Sequence, residues 1–292
     1  MPSFQGRFDH AVILVADLAK ASATFSGLGF AVDRGGEHTG QGTHNAIIRF
    51  GLDYLELLAV RDEAEALRAG GTRSVVVDRI HRGNTGLGAF ALATTRIDED
   101  ATRLRKNGLE AEGPFPMQRL RPDGKLLSWK LLQPGGSPWG RPWPFFIQWD
   151  QDDGTRLGWE RPGAHPNGTR RVAGVSLAVG DLDGATDLYV RQLGLARGAD
   201  AVMPQLGSRC RVFQTNGCEI GVHESTGPGW LRERMASAGE GIFEVTLEVG
   251  DLEATLHMLD RANVRTERSG SVVIIPSTSG MGSRFSLKRA AL

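Results

Sequence analysis

The sequence predicts an α+β protein that is built from four βαβββ units, paired into two domains. The first observation is an Asp-Leu pair that follows an apolar run at three places in the chain. The second is a residue suited to left-handed backbone about twelve positions later, followed by an apolar residue that opens another strand. This shared offset predicts a helix of about three turns between two strands in each copy. The pairs are Asp17-Leu18, Asp181-Leu182 and Asp251-Leu252, and the helix-ending residues are Gly29, Gly194 and Asn263.

The run before each Asp-Leu pair has the pattern of a strand. In the first copy, the run around Val12 and Leu14 is apolar on both faces. In the third copy, apolar and polar residues alternate with a period of two over Val245–Val249. The Asp that follows suits a helix N-cap, because its carboxylate can accept hydrogen bonds from the free N–H groups of the first turn.

A weaker copy lies between the first two clear ones. Phe90 and Leu92 supply the strand, and Ile97 stands where the other copies have Leu. Gly108 follows Arg96 at the same offset of twelve residues. The four units are therefore predicted to begin near residues 8, 88, 172 and 242.

Further strands are expected after each helix. One such sheet has a single apolar face and must pair with another to bury it, so four units predict two domains of two units each. The segment rich in Gly, Pro and charge before unit three gives the boundary. We expect one domain at 1–160, a linker at 161–170 and a second domain at 171–292. The further strands are expected in GFAVDRG, NAIIRFG, DYLELLAV, LLSWKLL, PFFIQWD, RVFQTN, EIGVHE, SVVIIP and RFSLKR.

Composition narrows the classes of function. The chain has 292 residues with 34 Lys and Arg against 34 Asp and Glu, so no net charge favours a nucleic-acid or membrane partner. The sequence has no apolar run of about 18 residues and no secretory signal at its start, and we expect a cytoplasmic protein. Cys210 and Cys218 are expected to be free buried thiols. The expected partner is a small molecule, and a homodimer is left open.

Five segments of the first half carry a resemblance to a known family. They are FDHAVILVADL, GGEHTGQGTHNAII, YLELLAV, RLRPDGKLLSWKL and PFFIQWD. In this order they resemble the glyoxalase-like domain subgroup of the vicinal oxygen chelate superfamily, which includes glyoxalase I, extradiol dioxygenases and fosfomycin-resistance proteins. The resemblance implies that two units bend into a shared cup. It also implies that a divalent metal in the cup chelates two adjacent substrate oxygens and stabilises the anion that forms.

The resemblance implies metal ligands at defined positions. His10, seven residues before Asp17, is at the first ligand position, and Glu56 matches the second. Glu56 should point away from the leucines on either side of it, into the cup. The equivalent of His10 in unit two is Ala89, and the best candidate for the remaining ligand is Gln148, a weak neutral donor. A divalent metal held by His10, Glu56 and Gln148 is thus one expectation, with an incomplete ligand set.

The other expectation is a cup that binds its ligand without a metal. His38 and His44 lie in a Gly-rich stretch that can approach a ligand closely. Arg119 and Arg121 could clamp a carboxylate or phosphate. For each of these four side chains, an ordinary surface or hydrogen-bonded role is about equally expected.

Aromatic residues are the remaining candidates in this half. We expect Trp129 to face the cup, on the face opposite to Leu127 and Leu131. In the Pro-rich segment that follows, Trp139 and Trp143 are expected in a rigid connection and Trp149 at the rim of the pocket.

The second half lacks the ligand pattern. Gly174 occupies the position of His10, and Ile220 or Gly221 that of Glu56. Glu244 is a single acid at the first-strand position of unit four, and one acid does not form a chelate. We therefore expect the second cup to close and pack, and the second domain to be structural or to bind a partner.

Two classes of function follow. The first is an enzyme of the lyase, isomerase or dioxygenase type that acts on a small oxygen-rich metabolite. In that reading Glu56 and His44 are catalytic, and the ligand is bound by His38, Arg119, Arg121 and Trp129. The alternative is metal-free binding or drug sequestration of the bleomycin-resistance type.

Overall fold

The computed structural model describes residues 4–270 and 272–290. Its first eight strands form a closed barrel in the order β1-β4-β3-β2-β6-β7-β8-β5. The strands are β1 Arg7–Leu14, β2 Asp33–His38, β3 Thr43–Arg49, β4 Tyr54–Val60, β5 Gly86–Ala93, β6 Ala111–Leu120, β7 Leu126–Pro134 and β8 Phe145–Trp149. The helices of this half are α1 Leu18–Gly27, α2 Glu63–Ala69, α3 Thr72–His81, α4 Ile97–Lys106 and α5 Asp153–Trp159.

The next eight strands form a sheet that does not close, in the order β10-β11-β12-β9-β13-β16-β15-β14. They are β9 Thr169–Val179, β10 Ala196–Met203, β11 Ser208–Thr215, β12 Cys218–Ser225, β13 Gly241–Val249, β14 Glu267–Ser269, β15 Val272–Ile275 and β16 Arg284–Arg289. The helices are α6 Leu182–Asp187, which continues as a π-helical turn Leu188–Gln192, a 3₁₀ turn Pro204–Leu206, α7 Trp230–Ala238 and α8 Leu252–Arg261. The predicted α+β fold of four units in two domains is confirmed.

The repeated start signal works as an N-cap in three units. Asp17, Asp181 and Asp251 each accept a hydrogen bond from a backbone N–H of the following first turn. In unit two the cap position is Arg96, which makes no such bond. There Gln148 on β8 replaces it, because its Oε1 accepts the N–H of the first helical residue at 2.8 Å.

The repeated stop signal is also a backbone requirement. Gly29, Gly108 and Gly194 have φ of 80°, 84° and 77°, and Asn263 has φ of 55°. Gly and Asn are the residues that enter this left-handed region at least cost, so each helix ends where such a residue lets the chain turn into the next strand.

The two domains share one apolar core. Helix α1 packs between the barrel and the open sheet, where Phe25 and Phe30 lie against Phe285 of β16 at ring-centroid distances of 5.9 and 6.5 Å. The segment predicted as a linker bonds to the first domain, since Asn167 donates to the carbonyl of Leu28 at 3.0 Å. The exact domain boundary remains a prediction. No helix among the described residues is long and apolar enough to cross a membrane.

Candidate functional site

A cavity of about 60 Å³ lies inside the barrel. Side chains reach it from every second residue of several strands, as the alternation of strand faces requires. On β4 these are Tyr54, Glu56 and Leu58, and on β8 they are Phe145, Ile147 and Trp149. Helix α3 and the loop after β7 also contribute lining residues. We call this space the barrel cavity.

His10 and Glu56 meet in the barrel cavity because their strands are neighbours. β1 and β4 pair in parallel, with His10 opposite Tyr54 and Val12 opposite Glu56. The Nε2 atom of His10 lies 3.5 Å from Oε2 of Glu56. As predicted, Leu55 and Leu57 on the other face of β4 pack in the core.

The imidazole of His10 is oriented from behind by its chain neighbour. Asp9 Oδ1 lies 2.8 Å from His10 Nδ1. The pairing of β1 with β5 shifts by one residue between Phe8 and His10, so Asp9 lies in a β-bulge. A bulge re-aims the extra side chain, which explains how two consecutive residues can bond through their side chains.

Asp9 is a fully buried carboxylate with several partners. Burial alone would raise its pKa, but the hydrogen bond from His10 and the charges of Arg156 and Arg7 outweigh it and hold the pKa well below its ordinary value. The indole N–H of Trp149 also donates to Asp9 Oδ2, at 3.2 Å. Because an ionised carboxylate only accepts, the proton of a neutral His10 stays on Nδ1, and Nε2 presents a lone pair to the cavity.

Glu56 is oriented by an amide. The side-chain Nδ2 of Asn45 on β3 donates to Glu56 Oε1 at 2.6 Å. The second oxygen of Glu56 remains directed towards His10. The two titratable groups therefore face one another, and each is positioned by a further side chain: Asp9 for His10 and Asn45 for Glu56.

His38 lies beside Glu56 and Asn45, and both of its ring nitrogens contact neighbouring side chains. Its Nε2 lies 3.4 Å from Asn45 Nδ2 and 3.7 Å from Glu56 Oε1, and its Nδ1 lies 2.9 Å from the hydroxyl of Thr43. Burial, with a smaller contribution from Arg73 and Arg119, lowers the pKa of His38 well below its ordinary value. His38 is thus a neutral imidazole whose two nitrogens already have partners.

Both arginines predicted to bind ligand are paired with carboxylates, and of the two Arg119 lies at the barrel cavity. Arg119 lines the barrel cavity but forms a buried ion pair with Glu160, which also binds Arg49 at 2.7 Å. Burial opposes ionisation of Glu160, yet Arg119 and Arg49 outweigh it and lower its pKa. Arg121 lies outside the cavity, pairs with Asp123 at 3.0 Å and reaches Glu160 at 3.4 Å.

A further arginine, which the sequence did not indicate, also reaches the barrel cavity. Arg73, near the start of α3, lines the barrel cavity, and its Nε donates to Gln41 at 3.1 Å. Burial lowers the pKa of Arg73, and Glu56 partly offsets that effect. Among the described residues no carboxylate lies within ion-pairing distance of Arg73.

Two further candidates lie outside the barrel cavity. Gln148 precedes Trp149 on β8 and therefore points to the opposite face of the strand, away from the barrel interior, where it caps α4. The expectation that it joins His10 and Glu56 is therefore wrong for this structure. His44 precedes Asn45 on β3, points to the opposite face of that strand and does not line the cavity. Burial lowers the pKa of His44.

The ligand set for a metal is incomplete. Within residues 4–270 and 272–290, no group of three or more His, Cys, Asp or Glu side chains is arranged to hold a metal ion. His10 and Glu56 face one another, Gln148 is absent from the cavity and both nitrogens of His38 have partners. These donors do not fit the three-ligand site expected from the sequence.

Aromatic rings form much of the wall. His10 stacks on Tyr54 at 4.5 Å, and Trp129 lies against Trp149 at 5.1 Å. Trp129 faces the cavity as predicted. The expectation that Leu131 would face the other way was wrong, because residues two apart on a strand share a face.

The expectation that Trp139 serves only a rigid connection was wrong. Its side chain lines the barrel cavity, and its buried indole N–H has no hydrogen-bond partner among the described residues. Trp143 does serve the connection, since it donates to the carbonyl of Pro134 at 2.8 Å.

The second domain keeps a cavity of its own, of about 230 Å³. The expectation that this cup would close and pack was wrong, because the sheet stays open between β10 and β14. Glu244 faces this cavity in a buried ion pair with Arg284 at 2.7 Å. His223 also lines it, and burial lowers the pKa of His223 to about 4.

Solved structures with the same fold cover nearly the whole chain. A hypothetical protein from Staphylococcus aureus matches 98% of this chain and 100% of its own, with a TM-score of 0.71 and 16% identity. A mutant of 4-hydroxymandelate synthase from Streptomyces coelicolor matches 95% of this chain and 78% of its own, with a TM-score of 0.65 and 14% identity. At these identities the likeness shows the fold.

Sequence comparison gives the family. No curated protein matches the chain. The profile of the glyoxalase-like domain matches residues 8–193, more than half of the 292 residues. The match covers the barrel, with His10 and Glu56, and runs on through the beginning of the open sheet. The chain therefore belongs to the glyoxalase-like domain family, within the vicinal oxygen chelate superfamily.

Proposed function

We propose that the protein is an enzyme of the isomerase or lyase type, which moves a proton at a carbon next to a carbonyl group in a small oxygen-rich metabolite. The observation that carries this proposal is the 3.5 Å approach of His10 Nε2 to Glu56 Oε2 in a buried cavity. Asp9 and Asn45 each hold one of the two groups in place. Such oriented pairs of titratable groups are typical of acid–base catalysis.

The roles follow from the chemistry of the two side chains. Glu56, as a carboxylate, takes the proton from the carbon, and the electron pair of the broken C–H bond moves onto the carbonyl oxygen. His10 in its imidazolium form donates a hydrogen bond from Nε2 to that oxygen, while Asp9 stabilises the positive ring through Nδ1. Where the first carbon carries a hydroxyl group, its proton passes to the enolate oxygen through His10 Nε2, and return of the other proton from Glu56 to the former carbonyl carbon completes an isomerisation. Where a leaving group stands on the carbon next to the deprotonated one, the enolate electron pair expels it with its bonding electrons and completes an elimination.

Substrate binding falls to groups that remain free. In the described structure, Arg73 brings to the cavity a cation without a carboxylate partner, and Trp139 brings an indole N–H without a hydrogen-bond partner. Both suit oxygen atoms, and the guanidinium favours an anionic group such as a carboxylate. We therefore propose a small carbonyl compound that carries an anionic group.

Of the lyase, isomerase and dioxygenase reactions expected from the sequence, the two that proceed by proton transfer are favoured over dioxygenase chemistry. A proton transfer of this kind needs only His10 and Glu56, whereas the donors present do not complete the metal site that the superfamily uses. The cytoplasmic location expected from the sequence stays part of this proposal.

The second candidate is a protein that binds its ligand without changing it. The observation that favours it is the aromatic wall, since the rings of Trp129 and Phe145 offer apolar surface to a ligand. In this reading Glu56 and His10 only hydrogen-bond the ligand.

One experiment separates the two functions. A panel of small carbonyl acids is incubated with the protein in D₂O, and exchange of the hydrogen next to the carbonyl is followed by proton NMR. We expect exchange with the natural protein and a loss of at least about 100-fold in Glu56→Gln and in His10→Gln. His44→Gln, a change outside the cavity, is the matched control and should keep the activity.

The outcomes are distinct. Saturable binding of a panel member by the natural protein, without exchange of its hydrogen, would establish the binding protein instead. Metal analysis of protein purified without chelator or a nickel column completes the test. Stoichiometric metal that is lost in His10→Ala with Glu56→Gln would overturn the metal-free mechanism.

A further inference from the structure

We propose that the cleft between the two domains is a second ligand site, which binds the phosphate group of a small molecule between Arg79 and Arg234. The cleft has a volume of about 350 Å³ and is lined from both domains. It is separate from the barrel cavity and shares no lining residue with it. We call it the interdomain cleft.

Two cations face this cleft without a matching acid. Arg79 comes from the last turn of α3 in the first domain and Arg234 from α7 in the second. Among the described residues neither guanidinium has a carboxylate within ion-pairing distance. The Nε of Arg79 is buried and has no hydrogen-bond partner in the described structure.

The arrangement is electrostatically unfavourable when the cleft is empty of anions. Burial lowers the pKa of Arg79, and burial together with the charge of Arg79 lowers the pKa of Arg234. Two positive groups that repel each other and are partly removed from water are stabilised when an anion lies between them. The cleft thus has the charge pattern of an anion site.

Nearby acids do not supply that anion. Glu240 is an exposed residue of the cleft lining, its Oε1 accepts the backbone N–H of Gly180 at 2.7 Å, and among the described residues it forms no ion pair with Arg79 or Arg234. Glu244 is paired with Arg284, which also reaches the cleft. Arg284 is therefore neutralised.

Arg234 is fixed in place by the backbone. It donates to the carbonyls of Gly239 and Ile242, which ties the end of α7 to β13. Carbonyl oxygens orient the guanidinium and leave its full charge uncompensated. Arg79 is the freer partner, since its Nε N–H has no partner to lose when a ligand binds.

The remaining lining suits a phosphate ester. Thr85, Asn84 and Ser277 offer hydroxyl and amide donors, and Gly83 leaves room for a ligand beside the main chain. Guanidinium groups bind phosphate through paired N–H donors. A volume of about 350 Å³ exceeds the need of an inorganic ion and is of the size typical of small-molecule sites.

Inorganic phosphate is the probe for the test. Calorimetric titration of the full chain, at constant ionic strength set with chloride, should show one site. Arg79→Gln should weaken phosphate binding at least about 10-fold. Arg79→Lys, which keeps the positive charge but lacks the paired N–H donors of a guanidinium, should weaken it less. Arg82→Gln is the matched control, since Arg82 directly follows the same helix and forms an exposed pair with Asp78.

Thermal unfolding gives an independent readout. Without phosphate, Arg79→Gln should unfold at the same temperature as the natural protein or higher, because a repulsion is removed. Phosphate should raise the unfolding temperature of the natural protein and of Arg82→Gln, and not that of Arg79→Gln. This pattern also shows that the variant folds.

Three results would overturn the proposal. They are the absence of phosphate binding, binding that is equal in Arg79→Gln and the natural protein, and binding that is lost in Arg73→Gln while Arg79→Gln keeps it. The last result would place the anion in the barrel cavity.

Discussion

Asp9 and His10 are consecutive residues whose side chains hydrogen-bond to each other, with 2.8 Å between Asp9 Oδ1 and His10 Nδ1. In a regular strand they would point to opposite faces, and the β-bulge at Asp9 removes that restriction. The result is a carboxylate behind an imidazole whose other nitrogen faces Glu56. This is the arrangement that fixes a histidine tautomer and supports an imidazolium during proton transfer.

Replacing Asp9 should therefore impair the chemistry that we propose for His10. We expect Asp9→Asn to slow hydrogen exchange by about 10- to 100-fold with little change in KM. The reason is that Asn no longer stabilises the positive ring and can favour the wrong tautomer. The measurement is the exchange rate by NMR, as a function of substrate concentration.

A double-variant cycle serves as its control. Asp9 also holds Arg7 and Arg156, so the variant will lose stability as well, and unfolding must be measured beside activity. If Asp9 acts through His10, adding Asp9→Asn to His10→Gln should cause little further loss. Full additivity of the two losses would show that Asp9 has no part in the catalytic pair.

The sequence revealed most of the repeat because its signals are local. Asp17 and Gly29 mark the start and end of a helix through their own backbone chemistry, whatever the rest of the chain does. The facing of Glu56 follows from the simple alternation of a regular strand. The same alternation places Trp129 and Leu131, two residues apart on β7, on one face of the strand, as the structure has them.

The missed site residues depend on tertiary structure. Asp9 acts through a bulge, which arises from the pairing with β5 and leaves no local pattern in the sequence. Arg73 reaches the cavity because α3 docks over the barrel, and Trp139 because the loop after β7 folds back. Gln148 is the best candidate for a ligand in the segment equivalent to that of Glu56, but the position within that strand is uncertain by one residue, and a shift of one residue reverses the face.

Gln148 should matter for stability and not for ligand binding. Its Oε1 accepts the N–H of Ile97 at 2.8 Å and so replaces the missing cap of α4. We expect Gln148→Ala to lower the free energy of unfolding by about 1 kcal/mol, as for loss of an N-cap. Ligand affinity should stay within about twofold. Urea unfolding and ligand titration on the same samples measure both quantities, and a large loss of affinity with intact stability would return Gln148 to the binding site.

The buried histidine of the second domain should make stability depend on pH. The pKa of His223 is about 4 in the folded chain, lowered from 6.5 by burial. Between these values the unfolded chain binds more protons, so stability falls as pH falls from 6.5 to 4 and is constant above 6.5. The loss attributable to His223 is about 3 kcal/mol over that range.

Removing the group isolates this effect. His38 has a lowered pKa for the same reason and contributes in the same direction, so the natural protein carries at least two such groups. We expect the unfolding free energy of His223→Gln to depend on pH less strongly than that of the natural protein, because the contribution of His223 is removed and that of His38 remains. Urea unfolding at several pH values between 4.5 and 7.5 provides the measurement. If the unfolding free energy of His223→Gln changes between pH 5 and pH 7 by as much as that of the natural protein, burial does not keep His223 uncharged in the folded protein.

The ion pair of the second domain tests which half is active. Glu244 and Arg284 are both buried and lie 2.7 Å apart, so Glu244→Gln leaves a guanidinium without its counter-charge. We expect a loss of about 3 kcal/mol in unfolding free energy, which Glu244→Gln with Arg284→Met should partly restore. The barrel cavity contains neither residue, so substrate binding and hydrogen exchange should persist in Glu244→Gln below its unfolding transition. His10→Ala with Glu56→Gln should abolish them in a folded protein. If instead Glu244→Gln loses binding while the His10 and Glu56 double variant keeps it, the active site lies in the open sheet and not in the barrel.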